Sequence, residues 1–276
     1  MRVAFQGERG AYSELACRAF FGDTAEPTSE PSFDAVFEAV EAGRAKRGVV
    51  PIENSLAGTI HRNYDLLLRH RLHLVGEQTL RISHCLIAAP GVPLEAVRVV
   101  RSHPQALAQC EARLAALGVA TEPAYDTASA VRDLALSGRR DAAAIASRLA
   151  AEVHGMSVLK SDFEDRAGNV TRFLVLAREP LSAPGVGPEK TSLAFSLPNR
   201  PGGLFKALAV FALRDLDLTK IESRPLPGEA WSYVFYLDCV HEGPRQPVER
   251  ALSHLEELCT LLRVFGTYPR HDEPDR

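Results

Sequence analysis

Val97-Arg98-Val99-Val100-Arg101-Ser102-His103-Pro104-Gln105-Ala106-Leu107-Ala108-Gln109-Cys110 reads as a strand that ends in a polar loop and turns directly into a helix. Valine fills three of the first five places, the β-branched density of a short strand. Ser102 and His103 end the apolar run. Pro104 then suits the first turn of a helix, where its missing N–H is not needed. The helical reading continues to Leu117.

The same unit recurs on both sides. Strands are expected at 2–5, 47–52, 120–125, 142–145 and 173–177, with a strand-rich stretch at 73–87. Helices are expected at 13–21, after the cap residue Ser32, at 64–69, 128–137 and 147–154. Strands alternating with helices predict an α/β fold, a largely parallel sheet with helices on its faces. Two such runs joined near residues 80–88 predict two lobes. The stretch Glu179-Pro180-Leu181-Ser182-Ala183-Pro184-Gly185-Val186-Gly187-Pro188 has little to bury and reads as a boundary. Beyond it, strand (191–197), helix (201–212), strand (218–222), strand (231–240), helix (248–258) and strand (262–268) follow. That βαββαβ order is ferredoxin-like.

Bulk properties narrow the function classes. The 276 residues are 46% hydrophobic and 24% charged with net charge -3, so no basic field exists to hold nucleic acid. No apolar run reaches membrane length. Met1-Arg2-Val3-Ala4-Phe5 enters a strand without a leader's apolar core, which predicts a cytoplasmic protein. Cys17, Cys85, Cys110, Cys239 and Cys259 are scattered and odd in number, so buried free thiols are expected, with no disulfide and no metal.

Ligands of open α/β sheets sit beyond strand ends, which directs attention to four loops. Glu53-Asn54-Ser55 offers an acid, an amide and a hydroxyl. Ser102-His103-Pro104-Gln105 opens a helix, whose N-terminus favours an anion. Asp126-Thr127 does the same, and Asn169-Val170-Thr171-Arg172-Phe173 leads into a strand. Each has a plainer reading. Ser102 and Thr127 fit helix caps, His103 a surface histidine near a cap, and Glu53 a partner for an arginine. Arg172, followed at once by apolar strand, needs a partner. Taken by spacing alone, these loops describe an anion-binding cleft between two lobes.

Read together, several stretches resemble the prephenate dehydratase family. They are Gly7-Glu8-Arg9-Gly10-Ala11-Tyr12-Ser13-Glu14, Val50-Pro51-Ile52-Glu53-Asn54-Ser55-Leu56-Ala57-Gly58, Ser102 through Cys110, Ala144-Ile145-Ala146-Ser147 and Asn169 through Phe173. Asn199-Arg200-Pro201-Gly202-Gly203-Leu204-Phe205 and Glu222-Ser223-Arg224-Pro225 are similar to the two phenylalanine-binding motifs of that family's ACT domain. The resemblance implies a catalytic domain over 1–178, two-lobed like a periplasmic binding protein, with the cleft between the lobes. Lobe one is then about 1–79 plus 155–178, lobe two about 80–154, followed by a linker at 179–189 and an ACT domain at 190–270. No chorismate mutase helices precede residue 1, which implies the monofunctional form.

The resemblance further implies decarboxylative dehydration of prephenate to phenylpyruvate, without cofactor. Thr171, Arg172, Asn54, Ser55, Ser102 and His103 take the catalytic places, Thr171 donating to the departing hydroxyl and Arg172 clamping a carboxylate. Gln105, Thr127, Asn169, Phe173 and Glu53 surround the substrate. L-Phenylalanine would bind at Asn199, Pro201, Gly202, Gly203, Leu204, Phe205, Glu222, Ser223 and Arg224 and regulate the enzyme, in a homodimer or homotetramer formed through both domains. Phe205 and Gly203 depart from the family's Gly-Ala-Leu-Val, so Phe205 is expected to reshape the amino-acid pocket. Arogenate dehydration and a non-catalytic small-acid sensor are the competing readings.

Overall fold

The computed structural model describes residues 1–182, 187–226 and 232–271. In chain order the elements begin with β1 (Arg2–Gln6), α1 (Tyr12–Phe21), β2 (Glu26–Glu30), α2 (Phe33–Glu41), β3 (Arg47–Asn54), β4 (Gly58–Thr59), α3 (His61–Arg69) and β5 (His73–Arg81). Next come β6 (Cys85–Ala88), β7 (Val99–Ser102), α4 (Pro104–Gln109), α5 (Glu111–Leu117), β8 (Ala120–Pro123), α6 (Thr127–Ser137), β9 (Ala142–Ala146), α7 (Arg148–Val153), β10 (Ser157–Lys160) and β11 (Val170–Ala177). The chain ends with β12 (Glu189–Ser196), α8 (Gly203–Ala212), β13 (Asp217–Pro225), β14 (Tyr233–His241), α9 (Gln246–Leu258) and β15 (Leu261–Pro269). No helix of the described residues is long and apolar enough to cross a membrane.

Packing divides the chain into two units, residues 1–63 with 78–173, and residues 64–77 with 174–272. The first unit contains two lobes. One lobe is built on the sheet ordered β2-β1-β3-β11-β5, with β4 paired to β3; the other on the sheet ordered β10-β6-β9-β7-β8. The expectation of a largely parallel sheet needs correction in the second lobe. There β9–β7 and β7–β8 are parallel, but β10–β6 and β6–β9 are antiparallel.

Strand β9 shows why this lobe is α/β. Every residue of Ala142–Ala146 is buried, as expected of a strand covered on both faces. Ala142, Ala144 and Ala146 pack with Val131, Leu134 and Ala150; Ala143 and Ile145 pack oppositely with Val100, Ala106 and Leu114. That is the period of two made visible.

The expected helix over 104–117 is two helices. Cys110 leaves helical geometry, and the carboxylate of Asp165 accepts from Ala112 N at 2.8 Å and Arg113 N at 3.1 Å, capping a new start. The edge strands β2 and β10 leave no mark in the sequence pattern, because Glu26-Pro27-Thr28-Ser29-Glu30 carries no apolar alternation and Ser157–Lys160 is only partly covered. Ser32 caps α2 as expected, accepting from Ala35 N at 3.2 Å.

In the second unit the antiparallel order β13-β14-β12-β15, with α8 and α9 on one face, is the ferredoxin-like arrangement. Strand β12 starts at Glu189, inside the expected linker; the linker residues 183–186 and Trp231 lie outside the described residues. Residues 64–77, expected in the first lobe, are grouped with this unit, while strand β5, which includes residues 73–77, is ordered in the first lobe's sheet. A Cβ on Gly266 would lie 2.1 Å from Leu74 O, so only glycine lets β15 run so close. Arg263 donates to Leu68 O at 2.8 Å, to His70 O and to Leu72 O, while Tyr236 Oη donates to Tyr64 O at 3.2 Å. Lys190 Nζ lies 2.7 Å from Glu77 Oε1, a buried pair.

Candidate active site

A cavity of about 210 Å³ opens between the two lobes of the first unit. Lobe one contributes Tyr12, Ser13, Pro51, Asn54, Ala57, Ile60, Asn169, Thr171 and Phe173; lobe two contributes His103, Gln105, Ala106, Gln109 and Thr127; Ile82 and His84 come from the connection. A second hollow of about 180 Å³ shares Tyr12, Ser13, His103 and Thr127 and extends the cleft towards Gln6 and Asp126. The volume is below the usual range of roughly 300–1,000 Å³ for drug-sized ligands and suits a small acid.

Asn54, buried at the end of β3, sets the polarity of the site. Its Oδ1 accepts from Leu56 N at 3.1 Å and Ala57 N at 2.8 Å. Two backbone donors therefore decide which end of the amide is oxygen. Its Nδ2 must then donate, and it reaches Thr171 Oγ1 at 2.9 Å and Asn169 Oδ1 at 2.6 Å. Since the Thr171 hydroxyl accepts from Asn54, its single hydrogen is left for another partner, and Thr171 lines the cavity. Asn54 has no proton to relay, so the hydroxyl is a hydrogen-bond donor rather than a recharged acid.

The polarity passes onward. Asn169 Nδ2 donates to Gln109 Oε1 at 3.1 Å, and His84 Nε2 reaches the same oxygen at 2.8 Å. Tyr12 Oη lies 2.7 Å from His84 Nδ1 and 2.8 Å from Ser83 O. Burial holds the His84 pKa below the usual histidine value.

Not every expected residue reaches the cavity. Strand β11 starts at Val170, ahead of the expected strand, so Thr171 and Phe173 share one face and Arg172 takes the other. Arg172 Nη2 there lies 3.7 Å from Glu53 Oε2. The arginine that needed a partner and the acid that fitted one thus meet, and neither lines the cavity. Ser102, wholly buried at the end of β7, donates to Ile145 O at 2.6 Å and ties β7 to β9. Ser55 clasps the 168–170 loop, with Ser55 Oγ accepting from Val170 N at 3.0 Å and Ser55 N donating to Val170 O at 2.8 Å. These four hold the frame from outside the cavity.

His103, Gln105 and Thr127 do reach it. His103 caps α4, its Nδ1 accepting from Gln105 N at 3.2 Å, which leaves Nε2 as the donor of the neutral ring. Thr127 opens α6 behind the reciprocal cap of Asp126 and Ser129. The first turns of α1 and α6 both border the cleft, with backbone N–H groups that lack intrahelical partners. No acidic or basic side chain is among the cavity's described lining residues apart from the two histidines.

Sequence reasoning does not single out Tyr12, Ser13, His84 or Gln109 as site residues. Gln109 follows Gln105 at helical spacing, a signal that could have found it. His84 falls within the stretch expected as continuous strand.

In the second unit the motif Asn199–Phe205 is at the surface, with Phe205 77% exposed and so filling no pocket of the single chain. Gly202 caps α8 at φ +76°, and Gly203 N donates back to Arg200 O at 3.1 Å. Glu222 pairs with Lys220 at 3.2 Å and Arg224 with Asp65 at 3.2 Å.

Comparison with known proteins agrees with this layout. The model of the family described as prephenate dehydratase matches residues 3–181, and that of the ACT domain matches residues 191–260. The Arabidopsis thaliana protein described as arogenate dehydratase/prephenate dehydratase 2, chloroplastic, is 53% identical, over 98% of this chain and 73% of its own. Among solved structures, a chain described as GqqA, a novel type of quorum quenching acylase, aligns with TM-score 0.90 at 36% identity over 98% of both chains. The prephenate dehydratase of Arthrobacter aurescens, solved with L-Phe, aligns with TM-score 0.88 at 30% identity over 98% of this chain and 90% of its own. This chain belongs to the prephenate dehydratase family and carries that family's dehydratase region followed by an ACT domain.

Proposed function

We propose that the cleft removes water and CO2 from prephenate to give phenylpyruvate, in the biosynthesis of L-phenylalanine, with Thr171 as the donor to the departing hydroxyl. Prephenate is a dianion with a hydroxyl across a non-aromatic ring from the carboxylate that is lost. The C–C bond to that carboxylate breaks, its electrons pass through the ring, and the C–O bond to the hydroxyl breaks. One proton is taken up, water and CO2 leave, and the ring becomes aromatic. Charge grows on the leaving oxygen, so a fixed donor there stabilises the transition state more than the ground state. The observation that carries this reading is the bond from Asn54 Nδ2 to Thr171 Oγ1, which leaves the threonine hydrogen for the substrate.

Asn169, itself oriented by Asn54, orients Gln109, and Phe173 forms an apolar wall. Gln105, His103 and Thr127, with the first turns of α1 and α6, supply donors for the carboxylates, the role first expected of Arg172. Glu53, Ser55, Ser102 and Arg172 support the frame.

The cavity of about 210 Å³ has no carboxylate among its described lining residues, and Asp126 of the adjoining hollow is engaged by Ser129 N; an arogenate ammonium in that cavity would go unpaired, which favours prephenate. Phenylpyruvate formation from prephenate, measured by absorbance beside phenylalanine formation from arogenate, tests this. We expect the larger kcat/KM for prephenate; a larger value for arogenate would reverse the assignment, and no turnover of either would reject an enzyme.

L-Phenylalanine bound at the ACT motifs would lower activity, and linkage requires prephenate to weaken its binding equally. The exposed Leu204, Phe205, Ile221 and Tyr233 support a homodimer or homotetramer. The free cysteines suit a reducing compartment, taken as the cytoplasm. Sedimentation with and without phenylalanine, and cell fractionation, test these points.

A further inference from the structure

His84 has no part in the reaction as described above, yet it is 2% exposed and makes a hydrogen bond at each ring nitrogen. Its ring meets Tyr12 edge-on at 5.7 Å, and its backbone N–H donates to Glu164 Oε2 at 2.8 Å, so its orientation is fixed. The polarity set at Asn54 runs through Asn169 and makes the atom of Gln109 facing His84 an acceptor. Nε2 faces that acceptor and so carries the hydrogen; in the neutral ring Nδ1 then accepts, and the one Tyr12 hydroxyl hydrogen is shared between Nδ1 and Ser83 O. Gln109 Oε1 is then held by two donors, while Gln109 Nε2 makes no hydrogen bond among the described residues and Gln109 lines the cavity.

We propose that His84 is a positioning residue for substrate binding: its Nε2–H pins Gln109 so that the amide N–H2, not the amide oxygen, meets the anionic substrate. The proposal rests on the dehydratase reading of the cleft. Without the imidazole donor, Asn169 Nδ2 at 3.1 Å is the one donor left on that oxygen among the described residues, and Gln109 more readily turns its oxygen towards a carboxylate and repels it. Thr171 is unaffected by this turn, because its donor direction is set upstream by Leu56 N and Ala57 N acting on Asn54. Burial, which keeps His84 neutral, supports the single-donor state.

The effect therefore falls on KM and not on kcat. In His84→Asn the side chain ends near the place of Nδ1 and offers Gln109 no donor. In His84→Gln the terminal amide nitrogen reaches the place of Nε2. We expect His84→Asn to raise KM for prephenate at least about tenfold with kcat within about threefold, and His84→Gln to bring KM back within about threefold of the parent. Equal KM values for the two variants, or a kcat loss in His84→Asn matching its KM change, would overturn the proposal. Should His84→Asn not fold, Gln109→Glu decides: it places a carboxylate oxygen in the cavity and should raise KM at least about tenfold, and an unchanged KM refutes the idea. Calorimetric Kd values for phenylpyruvate read the same differences without turnover. A parent enzyme that binds phenylpyruvate with these differences but does not turn over prephenate would sink the functional reading and leave this one standing.

Discussion

Replacing Asn54 by aspartate tests whether the direction of one hydrogen governs turnover. The substitution changes an N–H2 into an oxygen and almost nothing in volume. The new carboxylate keeps the bonds from Leu56 N and Ala57 N, but now faces Asn169 Oδ1 at 2.6 Å and Thr171 Oγ1 at 2.9 Å with no hydrogen of its own. Thr171 can relieve its contact by donating to that carboxylate, which withdraws the donor from the cavity. Asn169 can turn its amide only by setting Oδ1 against Gln109 Oε1, so a buried acceptor is left without a donor either way, at a cost of about 1–3 kcal/mol of stability. At roughly 2–4 °C per kcal/mol for a chain of this size, Tm should fall by about 2–12 °C while the protein stays folded at 25 °C. Losing one transition-state donor costs about 100- to 1,000-fold in kcat, or ~2.7–4 kcal/mol. Thr171→Val should show a loss of the same size. In the double variant the two losses should overlap, with kcat within about threefold of the worse single, because both remove the same hydrogen. Steady-state rates of phenylpyruvate release, with the uncatalysed background subtracted, give all four corners. Near-normal kcat in Asn54→Asp beside a large loss in Thr171→Val, or losses that multiply, would refute the argument.

Three further outcomes follow from the geometry. Ser102→Ala should cost about 0.5–1.5 kcal/mol by urea titration, through the lost bond to Ile145 O, with kcat/KM within about threefold; a hundredfold loss would restore Ser102 to the chemistry. Gly10→Ala places a Cβ 2.5 Å from Ala150 Cα at φ +88°, so Tm should fall by several degrees and KM should rise as Tyr12 and Ser13 shift; a neutral result in both would mean the loop has slack. Burial lowers the pKa values of His84 and His241, so the folded state resists a proton that the unfolded chain accepts near 6.5. The contribution to stability is full above about pH 6.5 and declines as pH falls through the lowered folded values; a urea midpoint that stays flat from about pH 7.5 to 5 would contradict this.

Much of this architecture is written in local patterns. The strand–loop–helix units, the βαββαβ tail and the gathering of Asn54, His103, Gln105, Thr127 and Thr171 all follow from apolar runs ended by polar loops. The misses share one cause, which is that the deciding partner is remote or a boundary moves. Placing the start of β11 a few residues late puts Arg172 in a loop, where it is free to face substrate. Starting at Val170, alternation sends it to the face of Glu53. Ser102 looks like a loop hydroxyl because its acceptor, Ile145 O, is 43 residues away. The break at Cys110 depends on Asp165, which no helical pattern over 104–117 contains. His84 is hidden because β5 and β6 read as one run.

The interleaving of the two units along the chain bears on how the protein can be cut. Helix α3 and strands β5 and β11 each begin in one unit and end in the other. A fragment stopped at the linker would hold every residue of the cleft, yet Leu68, His70 and Leu72 would lose the guanidinium of Arg263, and Glu77 would lose the ammonium of Lys190. The linker therefore marks where the sequence changes character and not where cooperative folding stops. A shortened enzyme should melt earlier than the full chain even with its reacting groups complete, and it would gain most from a cut that leaves a substitute partner for residues 64–77.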